Sequence, residues 1–153
     1  MKKIAVFPGT FDPITKGHES IINRATLIFD KVIIAIGENS NKKCLFDIEQ
    51  RKNWITQTFA NKANVEAKAY SGLTVDFCLE MNANYIVRGL RSTLDFEYEQ
   101  TIAHMNKKLA PSIETILLFT EPQYSMISSS SVRDIIINKG NAEQFLPDAI
   151  KID

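Results

Sequence analysis

The residues with chemistry to offer are basic and hydroxylic, and they come in short clusters. Thr15-Lys16-Gly17-His18 stands where a helix would begin. First-turn amides of a helix point outward and stabilise anions, and Gly17 would let a ligand approach the backbone closely. His18 can donate to a phosphoryl oxygen there; the bland alternative is a solvated first-turn residue. In Asn39-Ser40-Asn41-Lys42-Lys43, Lys42 is a flexible point charge suited to a phosphate if its loop overhangs a site. Arg88-Gly89-Leu90-Arg91 sets two arginines around a glycine, a pattern able to grip two phosphate groups or, failing that, plain surface charge. Ile127 precedes Ser128-Ser129-Ser130-Ser131, with Arg133 one turn on. Ser131 and Asp134 resemble a capping box, but capping needs one serine, and the other hydroxyls with free first-turn amides make a second phosphate site. There is no HExxH, no Cys/His ligand set and no supported Ser-His-Asp order. His104 falls mid-helix and reads as structural. A site rich in His, Lys, Arg and Ser but poor in carboxylates disfavours proton abstraction by paired acids and two-metal hydrolysis. It favours chemistry on phosphates.

These clusters must be held by something. Lys3–Phe7 is an apolar run ended by Pro8-Gly9, and Lys31–Ile36 a β-branched run ended by Gly37. Asn64–Ala69, Tyr85–Val87 and Glu114–Phe119 are three further strand candidates, the fourth strand ending at Arg88-Gly89. Helical spacing marks His18–Asp30, Ile48–Ala60, Thr74–Asn82, Leu94–Leu109 and Val132–Asn138. Leu94, Tyr98, Ile102, Met105 and Leu109 form a stripe on the longest of them. Strict strand–helix alternation predicts an α/β fold: a Rossmann-like, doubly wound, parallel five-stranded sheet with helices on both faces. Such sheets bind ligands outside the carboxyl ends of their strands, so Pro8–Phe11, Gly37–Lys42, Tyr70–Thr74, Arg88–Arg91 and Thr120–Ser128 should share one site.

The chain has 153 residues, which predicts a single domain over 1–153 with core enough to need no disulfide or metal staple. Lys+Arg and Asp+Glu both number 18, and a zero net charge argues against a general nucleic-acid binder. Apolar runs such as Val32–Ile36 are too short to span a bilayer, and no cleavage site follows Met-Lys-Lys. A cytoplasmic location is expected, with Cys44 and Cys78 reduced.

Pro8-Gly9-Thr10-Phe11-Asp12-Pro13 with Thr15-Lys16-Gly17-His18 resembles the (H/T)xGH motif of the nucleotidyltransferase superfamily, and Ile127-Ser128-Ser129-Ser130 with Arg133 its ISSSxxR signature. Arg88-Gly89-Leu90-Arg91, Asp95-Phe96-Glu97-Tyr98-Glu99 and Ala103-His104-Met105-Asn106 narrow the resemblance to the bacterial phosphopantetheine adenylyltransferases. It runs in register from Lys3 to about Pro147.

The resemblance implies reversible adenylyl transfer from ATP to 4′-phosphopantetheine in coenzyme A synthesis, giving 3′-dephospho-coenzyme A and pyrophosphate. It implies catalytic roles for Thr10, His18, Lys42 and Arg91. Thr10, Phe11, His18, Gly89, Leu90, Arg91, Glu99 and the loop Tyr124, Ser125, Met126, Ile127, Ser128, Ser129 and Ser130 would bind ATP. Thr10, Lys42, Leu73, Thr74, Arg88, Ile102 and Asn106 would bind phosphopantetheine. It further implies Mg²⁺ carried on the ATP phosphates without a protein metal site, coenzyme A as product-like feedback ligand, and a homo-hexamer, a dimer of trimers, with neither nucleic acid nor membrane as partner. The nucleophile would be a phosphate largely dianionic at pH 7, which accounts for the lack of a general base. Two departures stand out: Cys44 lies where many relatives have proline, and the chain stops soon after Pro147. A cytidylyl- or nicotinamide-mononucleotide adenylyltransferase is the nearest rival, separated by a substrate panel. A non-catalytic nucleotide-binding module would bind ATP without releasing pyrophosphate.

Overall fold

The β-branched runs become strands and the periodic segments helices, in strict alternation. The computed structural model describes residues 1–38, 41 and 43–153, so Lys42 lies outside the described residues. The elements are β1 (Ile4–Gly9), α1 (Lys16–Ala25), β2 (Lys31–Gly37), α2 (Ile48–Thr58), β3 (Val65–Tyr70), α3 (Thr74–Glu80), β4 (Tyr85–Leu90), α4 (Thr93–Leu109), β5 (Glu114–Phe119) and α5 (Ser129–Ile137). Among the described residues they form a five-stranded parallel sheet in the order β3-β2-β1-β4-β5. The period-two alternation of side chains splits the core between the two faces. Ala5, Phe7, Ile34 and Ile36 pack with Ile21 and Ile22 of α1, Trp54 and Ile55 of α2, and Val132 of α5. Val6, Ile33 and Ala35 pack on the other face with Val75, Phe77 and Cys78 of α3. Neither cysteine is in a disulfide, and burial pushes the Cys78 thiol up to about 12.

Two local expectations need correction, and each correction bears on the site. First, β4 does not stop before Arg88-Gly89 but runs through Leu90. The neighbouring β5 supplies ladder partners that far: Arg88 opposite Leu117, Gly89 opposite Leu118 and Leu90 opposite Phe119. Strand β1 likewise carries Pro8 and Gly9, opposite Ala35 and Ile36 of β2. Between the two middle strands, however, pairing is confined to Ala5–Tyr85 and Val6–Ile86. Beyond that point β1 and β4 part, and a crevice opens at the reversal of strand order, where ligands bind in such sheets.

Second, α5 begins earlier than its apolar pattern suggested. Ser128 is the N-cap, its hydroxyl accepting from the Ser131 amide at 3.1 Å. Ser129–Ser131 are the first turn, so the cap is Ser128–Ser131 and not Ser131–Asp134. The stripe on α4 faces outward: Leu94, Met105 and Leu109 are all more than half exposed, and the residue α4 buries is Glu99. Helix α4 touches β4 and β5 while presenting that carboxylate, not its apolar stripe, to the interior. His104 is exposed on the same helix.

Candidate active site

Two cavities open along the carboxyl ends of the strands and meet at their floor. The first, about 400 Å³, is lined by the β1–α1 turn, by Arg88, Gly89 and Arg91 after the middle of β4, and by Tyr124, Ile127 and Ser128–Ser130 at the start of α5. The second, about 660 Å³, lies toward β2 and β3 and includes Gly37, Glu38, Tyr70, Thr74, Tyr98, Ile102 and Asn106. Pro8, Gly9, Thr10, Arg88 and Glu99 line both. Each volume is ordinary for a small-molecule site.

His18 is the third residue of α1 and completes a capping box with Thr15. The Thr15 amide donates to His18 Nδ1 at 3.1 Å, while the Thr15 hydroxyl faces the His18 amide at 3.4 Å. An Nδ1 that accepts carries no proton, so the neutral ring has its proton on Nε2. The ring stacks edge-on against Phe11, with centroids 5.0 Å apart, and Phe11 stacks on Phe7 at 5.7 Å. Burial lowers the His18 pKa to about 4, with Arg88 and Arg91 adding to the effect. At neutral pH this histidine is therefore an uncharged N–H donor. Gly9 belongs to the same assembly, because a Cβ on it would meet the Phe11 ring at 3.0 Å.

Arg88 is held in a fork. Its guanidinium contacts both Glu99 carboxylate oxygens at 2.8 to 3.0 Å and donates to the Pro8 carbonyl across the gap between β4 and β1. Arg91 is bound by Asp95 through its own amide and Nε and donates from Nη1 to the Ile127 carbonyl at 3.2 Å. Arg133 donates to the Asp12 carbonyl, and Ser129 to the Pro13 carbonyl. The smaller cavity thus collects three arginines, Arg88, Arg91 and Arg133, against two carboxylates, Asp95 and Glu99. The amino ends of α1 and α5 add further positive potential. It is a receptacle for a polyanion. The larger cavity mixes Ile86, Ile102 and Ala103 with Tyr70, Thr74 and Asn106, and the Tyr70 and Thr74 hydroxyls are 2.9 Å apart. That lining suits a long chain with spaced polar groups.

The strand-end rule thus finds most of both linings, as two joined cavities in place of one. Thr10, Phe11, His18, Gly89, Arg91, Glu99, Tyr124, Ile127, Ser128, Ser129 and Ser130 line the smaller cavity; Thr10, Thr74, Arg88, Ile102 and Asn106 line the larger. Leu73, Leu90, Ser125 and Met126 line neither, and Leu73 and Met126 are more than half exposed. Thr15, Ile21, Thr120, Glu38 and Tyr70 line the cavities without having been singled out individually. Glu38, Tyr70 and Thr120 fall in the strand-end segments, whereas nothing local marks Ile21.

A parallel sheet whose strand-end crevice holds a histidine N–H, arginines and two helix amino ends is the frame of a nucleotidyltransferase. The chain matches the cytidylyltransferase-like family model over residues 6–135 and belongs to that family. The fold also recurs in a bifunctional NMN adenylyltransferase/ADP ribose pyrophosphatase from Francisella tularensis, with TM-score 0.74 at 20% identity, covering 98% of this chain and 46% of that one. Closer relatives narrow the family. The chain is 50% identical over 149 residues to the phosphopantetheine adenylyltransferase of Phocaeicola vulgatus (97% of this chain, 98% of that protein) and 48% identical over 148 residues to that of Flavobacterium psychrophilum (97% of each). It belongs to the phosphopantetheine adenylyltransferases.

Proposed function

We propose that the chain transfers the adenylyl group of Mg·ATP to 4′-phosphopantetheine, reversibly, by direct in-line displacement and without a covalent intermediate. The observation that carries this reading is the junction of a cationic cavity with an amphipathic one at Thr10 and Arg88. ATP occupies the smaller cavity and phosphopantetheine the larger, so that acceptor phosphate and ATP α-phosphorus meet over Thr10. An acceptor phosphate oxygen bonds to the α-phosphorus. The bond from that phosphorus to the bridging oxygen breaks, and pyrophosphate leaves with the electron pair. The acceptor is already anionic, so the site must position and neutralise, not deprotonate.

His18 donates Nε2–H to the oxygens of the five-coordinate transition state, where charge shifts most. Arg91 steadies the departing pyrophosphate, and Lys42, whose residue type and sequence position carry its assignment, holds the incoming phosphate. The proposal keeps Phe11, Gly89 and the Ser128–Ser130 turn on ATP, and Thr74, Ile102 and Asn106 on the pantetheine arm. Leu73, Leu90, Ser125 and Met126 have less support, since they line neither cavity. Glu99 acts by holding Arg88, its two oxygens being engaged there. Asp95 and Glu99 are each paired with an arginine, which supports a divalent ion that enters on the ATP phosphates.

The reading takes residues 1–153 as one cytoplasmic domain, in keeping with two cysteines that form no disulfide. A homo-hexamer with coenzyme A as feedback ligand completes it, and the exposed apolar stripe of α4 supports assembly. The test is pyrophosphate release from Mg·ATP with and without 4′-phosphopantetheine, with the product identified by mass. Dephospho-coenzyme A that needs both substrates supports the proposal. ATP binding without that product refutes it and leaves the fold assignment intact.

A further inference from the structure

Arg51 is a buried cation that the reaction scheme does not use. It is 5% exposed, lines neither cavity, and among the described residues has no carboxylate within ion-pair distance. A buried guanidinium without an anion must recover its hydration through hydrogen bonds. It does so on two backbone carbonyls, donating from Nη1 to Thr10 at 2.7 Å and from Nε to Phe46 at 3.0 Å. Asp12, 2% exposed, works from the opposite side. Its two carboxylate oxygens accept from the Leu45 and Phe46 amides at 2.8 and 2.9 Å. Three of the four contacts close a ring with the chain itself: Thr10 to Arg51, Arg51 to Phe46, Phe46 to Asp12, and Asp12 back along the backbone to Thr10.

We propose that Arg51 and Asp12 are positioning residues: a cross-brace that fixes the Thr10 backbone, at the floor shared by both cavities, against the Leu45-Phe46 backbone, and so sets where the acceptor phosphate sits. The inference rests on the adenylyl-transfer reading, but neither residue touches substrate in it. Leu45, the outer anchor, is three residues beyond Lys42 in sequence. The ATP side has its own anchors on the same turn, Arg133 on the Asp12 carbonyl and Ser129 on the Pro13 carbonyl. Both hydrogen bonds use backbone acceptors and survive a change of the Asp12 side chain; Asp12→Asn does remove the looser 3.9 Å ion pair between Arg133 Nη1 and the Asp12 carboxylate, whereas Arg51→Lys leaves that pair in place and so tests the brace by itself. The brace therefore acts asymmetrically, on the acceptor and on the reacting geometry more than on ATP.

The test compares wild type, Asp12→Asn, Arg51→Lys and Arg51→Met for turnover and for the KM of each substrate, with circular dichroism as the check on folding. Asp12→Asn keeps the shape but turns an NH₂ toward one of two N–H donors. Arg51→Lys keeps the charge but cannot hold two carbonyls in the same fork. Misplacement of reacting groups by about an ångström costs on the order of 100-fold. The expected result for both conservative variants is a loss of roughly 10- to 100-fold in kcat/KM for 4′-phosphopantetheine, with the KM for ATP within about twofold of wild type. Arg51→Met should lose at least as much as Arg51→Lys; if it fails to fold, the two conservative variants decide. The brace is refuted if both are within twofold of wild type toward 4′-phosphopantetheine, or if both substrates suffer equally. Wild type that makes no dephospho-coenzyme A in the same assay overturns the proposed function and the brace with it.

Discussion

Replacing His18 with glutamine separates two jobs that one imidazole performs. Its Nδ1 satisfies the Thr15 amide, and its Nε2–H is free to act. Glutamine at this third helical position can take over the cap but cannot place a ring N–H in the cavity. Stability at pH 8 should therefore stay within about 0.5 kcal/mol of wild type, whereas His18→Ala gives up the cap and about 1 kcal/mol. Turnover of His18→Gln should fall about 10²- to 10³-fold, the scale of one transition-state donor, roughly 2.7–4 kcal/mol, with the KM for ATP little changed. The pKa adds an independent arm. Burial, then Arg88 and Arg91, lower it to about 4 in the folded protein from 6.5. The unfolded chain therefore takes up this proton first. The neutral ring's contribution to stability is complete above pH 6.5 and drains away as pH falls toward 4, by at most about 3 kcal/mol. Wild type should lose stability through that window and His18→Gln should lose less, read by chemical denaturation at several pH values. Between pH 6.5 and 8 His18 should not titrate, so any acid limb in kcat/KM near pH 6 belongs to the second ionisation of the acceptor phosphate and should persist in the variant. A variant turning over within fivefold of wild type, or an acid limb that vanishes with the histidine, would refute the assignment.

Three other expectations follow from contacts. Ser128→Ala removes the hydroxyl that caps α5 and should lower stability by about 1 kcal/mol; an unchanged denaturation midpoint would mean that the cap contributes nothing. Arg88→Met strands the Glu99 carboxylate, whose side chain is 7% exposed, and should cost about 3 kcal/mol, the low end for a broken buried pair because Arg88 is itself 31% exposed. Arg88→Met with Glu99→Leu should regain most of that stability in denaturant titration and none of the activity; equal recovery of both would contradict a binding role for Arg88. Glutamate at Leu94, Met105 and Leu109 together should reduce the sedimenting mass while α4 stays helical, because these side chains are more than half exposed in the single chain. An unchanged mass would move the interface elsewhere.

The legible part of this protein was whatever declares itself locally. Strand β5 begins and ends where its apolar run does, and His18 lies in the first turn of a helix, as Thr15-Lys16-Gly17-His18 suggested. Residues whose role depends on a distant partner were not legible. Nothing near Glu99 in sequence says that it faces Arg88, 11 residues earlier on another element. Arg51 reads as one more charge on an amphipathic helix until its guanidinium is found on the Thr10 carbonyl, 41 residues away. Which way the α4 stripe faces was not legible for a different reason: its period is real, but helical spacing says that one face seeks apolar company and not whether the same chain supplies it.

Pro8 shows how a local rule fails where function is built. A proline in a middle strand should end it, because it cannot donate to the ladder. Here the strand continues, and the reason lies with its neighbours. The Pro8 carbonyl faces β4, where it accepts from Arg88, so the missing N–H would face β4 as well, since the two groups of one residue point to the same side of a strand. On that side the ladder has already stopped at Val6–Ile86, while pairing with β2 continues as far as Gly9. The proline thus removes a donor only where β4 no longer pairs, and a guanidinium takes the acceptor. That exchange helps hold β1 and β4 apart and puts a cation at the floor shared by both cavities. A leucine at this position would restore a backbone N–H with no ladder partner opposite. By this logic Pro8→Leu should not zip the crevice shut, but should expose an unpaired donor beside Arg88 and weaken the fit of both substrates together.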